Sequence, residues 1–294
     1  MRGISTCSDP QIIISTTKEV STIIINDTLP FTAHFHRRRY VNSFYFGLPR
    51  VLADSAAGAR TALGGRRRQG AVKILHSPSD PVIKGTAEIR RAIAGLQQAG
   101  HDIEFVELSG VTNAEVIEQI LTCDFVIDQI YSDMPMATFA LEAAYYGKPS
   151  VVCGYPATQL SGFSRWPIAP SRFVPPAGLE DAIEQLILDE PARLDLGRRA
   201  REFVRSQWSP PAVAERLLRL IRGEAPDEWW IEPEAVLYVQ GCGLPEARCR
   251  QVVAQLIGKY GPAALRVGSR LEACFVDFAA APGEARSAAS GFPE

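Results

Sequence analysis

The sequence predicts an α/β fold, a doubly wound parallel sheet, over residues 71–222. Three observations carry this. Short apolar runs around Val72–Leu75, Phe125–Ile127 and Pro149–Cys153 read as buried strands. Stretches with apolar residues at helical spacing separate them. The strands are apolar on both faces, as a parallel sheet covered by helices on two sides requires.

The elements follow in order. Val72, Ile74 and Leu75 form the first strand, before turn residues Pro78 and Pro81. Gly85–Ala99 predicts a helix with Ile89, Ala92, Ile93 and Leu96 on its buried face and Gly100 at its end. Asp102–Leu108 alternates as a strand, and Asn113 is the expected cap of a helix that buries Val116, Ile117, Ile120 and Leu121. Phe125–Ile127 is the third strand. Thr138–Tyr146 is a short helix closed by Gly147, and Pro149–Cys153 is the fourth strand. Leu179–Leu188, Pro191–Ser206 and Pro211–Arg222 read as further helices. Folds of this class bind ligands at the carboxyl ends of the strands. That directs attention to His76–Lys84, Ser109–Asn113, Asp128–Thr138 and the segment from Gly154 onward.

The flanks have a different texture. Residues 1–70 are irregular, with strand-like runs at Ile12–Thr17 and Ser21–Ile25 and basic clusters at Arg37–Arg39 and Arg66–Arg68. The clusters are either a solvated linker or an electrostatic foot for phosphates or acidic headgroups. Residues 223–294 form a tail with a helix at Glu246–Tyr260 and an end, from Pro282, that reads as disordered. Trp229 and Trp230 are expected to pack the start of this tail on the main domain, with sugar stacking as the alternative.

Composition excludes several classes. Of 294 residues 46% are hydrophobic and 22% charged, enough apolar material for a core. The formal charge of −2 gives no global field for nucleic acid. The longest aliphatic clusters, Ile12–Ile14 and Ile23–Ile25, fall far short of the ~20 residues of a spanning helix. No signal peptide is apparent in the first residues. Six cysteines without a C-x2-C pair, and only four histidines, argue against a metal site. Cys123 and Cys153 read as core residues. Cys242 and Cys249 would pair only in an oxidising compartment, and a reduced cytosolic chain is expected.

Two features carry chemistry. Lys84-Gly85-Thr86 opens a helix straight after the first strand, where backbone N–H groups and a lysine favour an anion. Gly85 would allow a ligand close to the backbone. The triplet lacks the spacing of a P-loop, and an ordinary exposed helix start is the alternative. Glu142 is an acid among Ala140, Leu141, Ala143 and Ala144 in a helix that packs on the sheet. A buried carboxylate needs donors, either ribose hydroxyls or a nearby arginine or backbone amide.

Four ordered blocks bring these together: H-S-P-S-D-P-x-x-K-G-T (76–86), E-L-S-G-V (107–111), C-D-F-V-I-D-Q (123–129) and F-A-L-E-A-A-x-x-G-K-P-S-V-V (139–152). They resemble the C-terminal, nucleotide-sugar-binding half of GT-B glycosyltransferases, within the large retaining group called family 4 or glycosyltransferase group 1. The resemblance covers about half the chain, roughly residues 72–222. It implies a Rossmann-like domain and metal-independent glycosyl transfer through an oxocarbenium-like state. No cofactor is implied, the nucleotide-sugar donor being a substrate. The implied acceptor is a glycan or lipid-linked molecule in surface polysaccharide synthesis. The implied location is the cytoplasm, with at most peripheral contact at the inner face of the membrane. By the same resemblance Lys84, beside Gly85 and Thr86, contacts the diphosphate. Gly110 and Val111 face the base, and Glu142 holds the ribose hydroxyls. His76 would bond donor or acceptor, unless it is a satisfied structural histidine.

The blocks also depart from that family. Its usual acid eight residues before the glutamate is here Met134, with Asp133 one residue out of register as the candidate substitute. No arginine precedes Lys84 within Ser77–Ile83. Only about 70 residues precede the first block, where the resemblance implies an acceptor domain of ~150 or more. The expectation is therefore a truncated transferase, a split enzyme with a separate acceptor-domain subunit, or a non-catalytic nucleotide-sugar-binding remnant.

Overall fold

The computed structural model describes residues 25–26, 39–42, 46–49, 70–132, 136–154, 168–232, 244–267 and 269–280. Two compact units divide the chain, Met1–Gly243 and Leu244–Glu294.

The first unit is built on a five-stranded, all-parallel sheet of order β4-β3-β5-β6-β7. Its strands are β3 (Val72–His76), β4 (Ile103–Glu107), β5 (Phe125–Ile127), β6 (Ser150–Cys153) and β7 (Arg172–Val174). β3 runs in register with β4 from Val72↔Ile103 to His76↔Glu107, and on its other side pairs Ile74↔Phe125. The four strands read from the sequence are present and parallel. β7 was not foreseen: three residues at the sheet edge, Arg172-Phe173-Val174, are too few to show a period.

Alternation along the buried strands feeds two cores. Ile74, Phe125, Ile127, Val151 and Cys153 pack against α1 (Thr86–Gln98) and α4 (Leu179–Leu188). Leu75 and Val126 point the other way, against Val116 and Ile120 of α2 (Asn113–Thr122) and Phe139 and Ala143 of α3 (Thr138–Tyr145). Helices thus cover both faces, which is the doubly wound arrangement. Val152 and α3 continue into a third cluster with Ala200 and Val204 of α5 (Glu190–Gln207) and Val213 and Leu220 of α6 (Pro210–Ile221).

Glycines stop three of these helices by one device. After α1, α3 and α6 the residues Gly100, Gly147 and Gly223 adopt φ values of 98°, 75° and 74°. The glycine N–H and the next N–H then return to carbonyls of the last turn, as in Gly147→Ala144 and Lys148→Ala143, both 2.9 Å. The start of α2 corrects the sequence expectation. Thr112 is the cap and forms a reciprocal capping box with Glu115, so Asn113 is the first helical residue and its side chain is available elsewhere.

Gly197 has a different reason. It lies inside α5, where a Cβ would sit 2.1 Å from the Gly147 carbonyl oxygen. Gly197→Ala should lower stability by about 1–3 kcal/mol through overpacking, despite its better helix propensity. A denaturant midpoint unchanged or raised relative to wild type would refute that close approach.

The N-terminal flank meets the start of the tail. β1 (Ile25–Asn26) pairs parallel with β2 (Tyr40–Asn42), and β2 pairs antiparallel with β8 (Trp230–Ile231). Trp229 is buried, edge-on to Phe46 at 5.5 Å, and the Arg39 guanidinium lies 4.4 Å from the Trp230 ring centre. The two tryptophans therefore pack on this unit, as expected. The run at Ile12–Thr17, Arg37, Arg38, the Arg66–Arg68 cluster, Cys242 and the segment from Pro282 lie outside the described residues. In the second unit α7 (Glu246–Tyr260) is followed by a helix the sequence reading did not anticipate, α8 (Ser269–Ala280). Arg250 of α7 stacks on Phe278 of α8, 4.3 Å from its ring centre, and donates to its carbonyl.

Candidate functional site

The order β4-β3-β5 places successive strands on opposite sides of β3, so the connections from β3 and β5 leave in opposite directions. A crevice at the carboxyl ends of such strands is where open α/β sheets take ligands. The segments leaving β3, β4 and β5 carry Lys84, Asn113, Asp128 and Glu142.

Lys84 is the best-defined group. Its Nζ lies 3.3 Å from Asp128 Oδ1 and donates to Gln129 Oε1. The lysine side chain is 13% exposed and the aspartate 1%, so the pair is buried. Asp128 follows directly on β5, and its Oδ2 is buried with no hydrogen-bond partner. Burial pushes the Asp128 carboxyl above the usual carboxylate range, with the Lys84 charge acting against it. Sequence reasoning passed over Asp128 and Gln129 as individual residues. The signal was there: an acid ending an entirely apolar strand has to be paired or protonated.

The backbone around Lys84 is closed on itself. The Asp80 side chain accepts from Val82 N at 2.8 Å and Ile83 N at 3.0 Å. The amides of Lys84, Gly85 and Thr86 bond the carbonyls of Asp80, Val82 and Pro81. The start of α1 therefore offers an anion fewer open amides than its sequence suggests. Gly85, at φ 69°, has its own explanation: a Cβ there would meet Ile130 Cβ at 2.9 Å. The room expected for a ligand is filled by Ile130, whose N–H also bonds Lys84 O at 3.2 Å. These contacts clamp the Lys84 backbone to the segment after β5.

His76, the last residue of β3, is fully buried. Nδ1 lies 2.8 Å from the Ile127 carbonyl and Nε2 2.9 Å from Thr86 Oγ1. A carbonyl can only accept, so Nδ1 carries the proton and Nε2 accepts from the Thr86 hydroxyl. Burial holds the imidazole below its ordinary value, against the Ile127 bond and the nearby Asp128 charge. The structural alternative accounts for both ring nitrogens: His76 ties the first residue of α1 to the end of β5.

Glu142 is buried on α3, at 4% exposure. Asn113 Nδ2 lies 3.3 Å from each of its carboxylate oxygens. Among the described contacts, one donor is thus a side-chain amide at the start of α2, a partner not considered from sequence. Gly110, at φ 72°, turns the chain after β4, and Val111 is 40% exposed beside it. Tyr131, a non-glycine residue at φ 58°, is also exposed on the loop after β5. Asp133 and Met134 lie outside the described residues.

Cys123 and Cys153 are buried, and burial pushes both thiols up to about 12, so neither is a reactive thiolate. Among the described residues no cluster of three or more histidine, cysteine or acidic residues is arranged for a metal. No described helix is long and apolar enough to cross a membrane.

No family model matches the sequence, and no curated protein does. Among solved structures the chain is similar to a mutant of TarM from S. aureus in complex with fondaparinux, alpha-GlcNAc-glycerol and UDP. That likeness has 13% identity and a TM-score of 0.41, over 54% of this chain and 37% of that one. A second is to sucrose-phosphate synthase from Thermosynechococcus elongatus, with 21% identity, TM-score 0.35, and coverage of 61% and 50%. A third is to the glycosyltransferase SnogD from Streptomyces nogalater, with 17% identity, TM-score 0.35, and coverage of 68% and 58%. The chain spans about a third to somewhat over half of the length of these proteins.

Proposed function

We propose that the chain binds a nucleotide sugar at the carboxyl edge of its parallel sheet and serves glycosyl transfer to a glycan or lipid-linked acceptor. In this reading Lys84 meets the diphosphate, Glu142 holds the ribose hydroxyls, and Gly110 and Val111 border the base. The observation that carries it is that a largely buried cation, Lys84, and a buried acid, Glu142, both lie on segments leaving the carboxyl ends of the adjacent parallel strands β3 and β5. The resemblance of the four sequence blocks supports the same roles. Lys84 would stabilise the negative charge that develops on the leaving nucleoside diphosphate, an electrostatic contribution worth most in a water-poor site. His76 acts from behind, by fixing the start of α1. Surface polysaccharide synthesis at the cytoplasmic face of a membrane is the setting we assign to this activity.

Two measurements test the reading. Calorimetric titration of the full chain with UDP, GDP and ADP should show one of them binding, and absence of all binding overturns the proposal. Turnover of the matching nucleotide sugar with a glycan or lipid-linked acceptor then separates a transferase from a binding subunit. Donor binding with no transfer to any acceptor, even with candidate partner proteins added, would favour the subunit.

A further inference from the structure

A lysine meant for a phosphate is, in this chain, already taken. Its Nζ is shared by the Asp128 carboxylate and the Gln129 side-chain oxygen. Asp128 lies 1% exposed at the end of a buried strand, so it has no water to turn to when the lysine leaves. We propose that Asp128 is a positioning residue that holds Lys84 in the ligand-free chain and releases it to the incoming diphosphate by taking up a proton. The inference rests on the nucleoside diphosphate reading above and adds a regulation to that site.

The charges argue for it. Without ligand the buried ammonium and carboxylate neutralise each other. When Lys84 turns to a diphosphate, an ionised Asp128 would be left buried, without its counter-charge and next to a second anion, with the backbone N–H of Ala137 as a neutral donor. An uncompensated buried carboxylate neutralises rather than persists. The proton comes from solvent and ends on the carboxyl group, where Oδ2 is without a partner to displace. No covalent bond other than that O–H forms, and none in the protein breaks.

Among the described residues the surroundings supply no other base or acid to take that part. From β3 the His76 ring acts on Asp128, but it is neutral by burial and both its nitrogens are bonded. From β6 Cys153 is a thiol pushed up to about 12, in part by the Asp128 charge itself. Glu107, at the end of β4, acts on His76 and is paired with Arg90. Lys84 is the cation paired with Asp128.

Binding should therefore weaken as pH rises, by up to tenfold per pH unit for one proton taken up. The test is calorimetry of the full chain with the nucleoside diphosphate that binds, from pH 6 to 8.5, in buffers of different ionisation heat. The expected result is net proton uptake by the wild type within this range, where the bound form holds the proton and the free form has lost it. Asp128→Asn should bind with a much flatter pH profile and take up correspondingly less. The ligand's own terminal phosphate titrates in both proteins and cancels in the comparison. Asp128→Glu should restore part of the pH dependence, which a purely structural role would not predict. Equal proton uptake in wild type and Asp128→Asn overturns the inference while leaving the binding reading intact. Absence of binding by every nucleoside diphosphate overturns both. Should Asp128→Asn fail to fold, the buffer dependence of the wild type alone decides: no proton uptake sinks the proposal.

Discussion

Lys84→Met should destabilise the full chain by about 3–5 kcal/mol, and Asp128→Asn added to it should recover most of that loss. Removing one partner of a buried ion pair leaves the other buried and uncompensated, whereas neutralising both is often harmless. Here the remaining partner would be Asp128, with one carboxylate oxygen already unpartnered. The pH dependence has a definite sign. Burial, the largest influence on Asp128, would then be opposed only by the His76 ring and the Ala137 N–H, and would raise its folded value further above that of the unfolded chain, near 3.9. The folded single mutant would bind the extra proton, so its stability falls as pH rises across that window and recovers toward acid. Urea denaturation of the wild type, single and double mutants at pH 5 and pH 8 measures this. A double mutant as unstable as Lys84→Met, or a deficit that does not shrink at pH 5, would show that the pair is not what supports this loop.

Further contacts hold the same loop. Asp80 locks the amides of Val82 and Ile83, Ile130 covers Gly85, and the His76 ring joins Thr86 to Ile127. Each contact ties the segment after β3 to itself or to the segment after β5. With the backbone held in this way, the proposed release of the lysine would need a change of side-chain partner alone. Pre-organisation of this kind reduces the ordering cost of binding.

The sequence made local features legible and long-range partners illegible. Apolar runs and glycine stops gave β3 to β6 and the ends of α1 and α3, because each rests on residues a few positions apart. The partners of the site residues do not. Lys84 finds Asp128 across 44 positions and Glu142 finds Asn113 across 29. No periodicity reports such pairs, which depend on which strand lies beside which. Asn113 shows how a local rule misleads: it is a good capping residue, yet Thr112 with Glu115 forms the better cap and leaves the Asn113 amide for Glu142. From sequence Gly85 suggests freedom toward a ligand, and only the packed position of Ile130 supplies its reason.

Glu142→Ala should weaken nucleoside diphosphate binding by about 10-fold to 150-fold, the equivalent of a charge-assisted hydrogen bond of about 1.5–3 kcal/mol. The fold should survive, although less intact than for a carboxylate without protein donors. The Asn113 amide would lose its acceptor, at about 1–3 kcal/mol. At 3.3 Å to each oxygen, that amide makes a long bond, and a ligand hydroxyl could improve on it. The ribose role has its own signature. A 2′,3′-dideoxy nucleoside diphosphate should lose affinity for the wild type by the same factor and lose little more in Glu142→Ala, since mutation and ligand change remove one interaction. Asn113→Ala separates the two roles further: it should lower stability while the wild-type sensitivity to the ribose hydroxyls remains. Equal discrimination against the dideoxy ligand by wild type and Glu142→Ala, together with a less stable mutant, would make Glu142 a structural acid that pins α3 to α2.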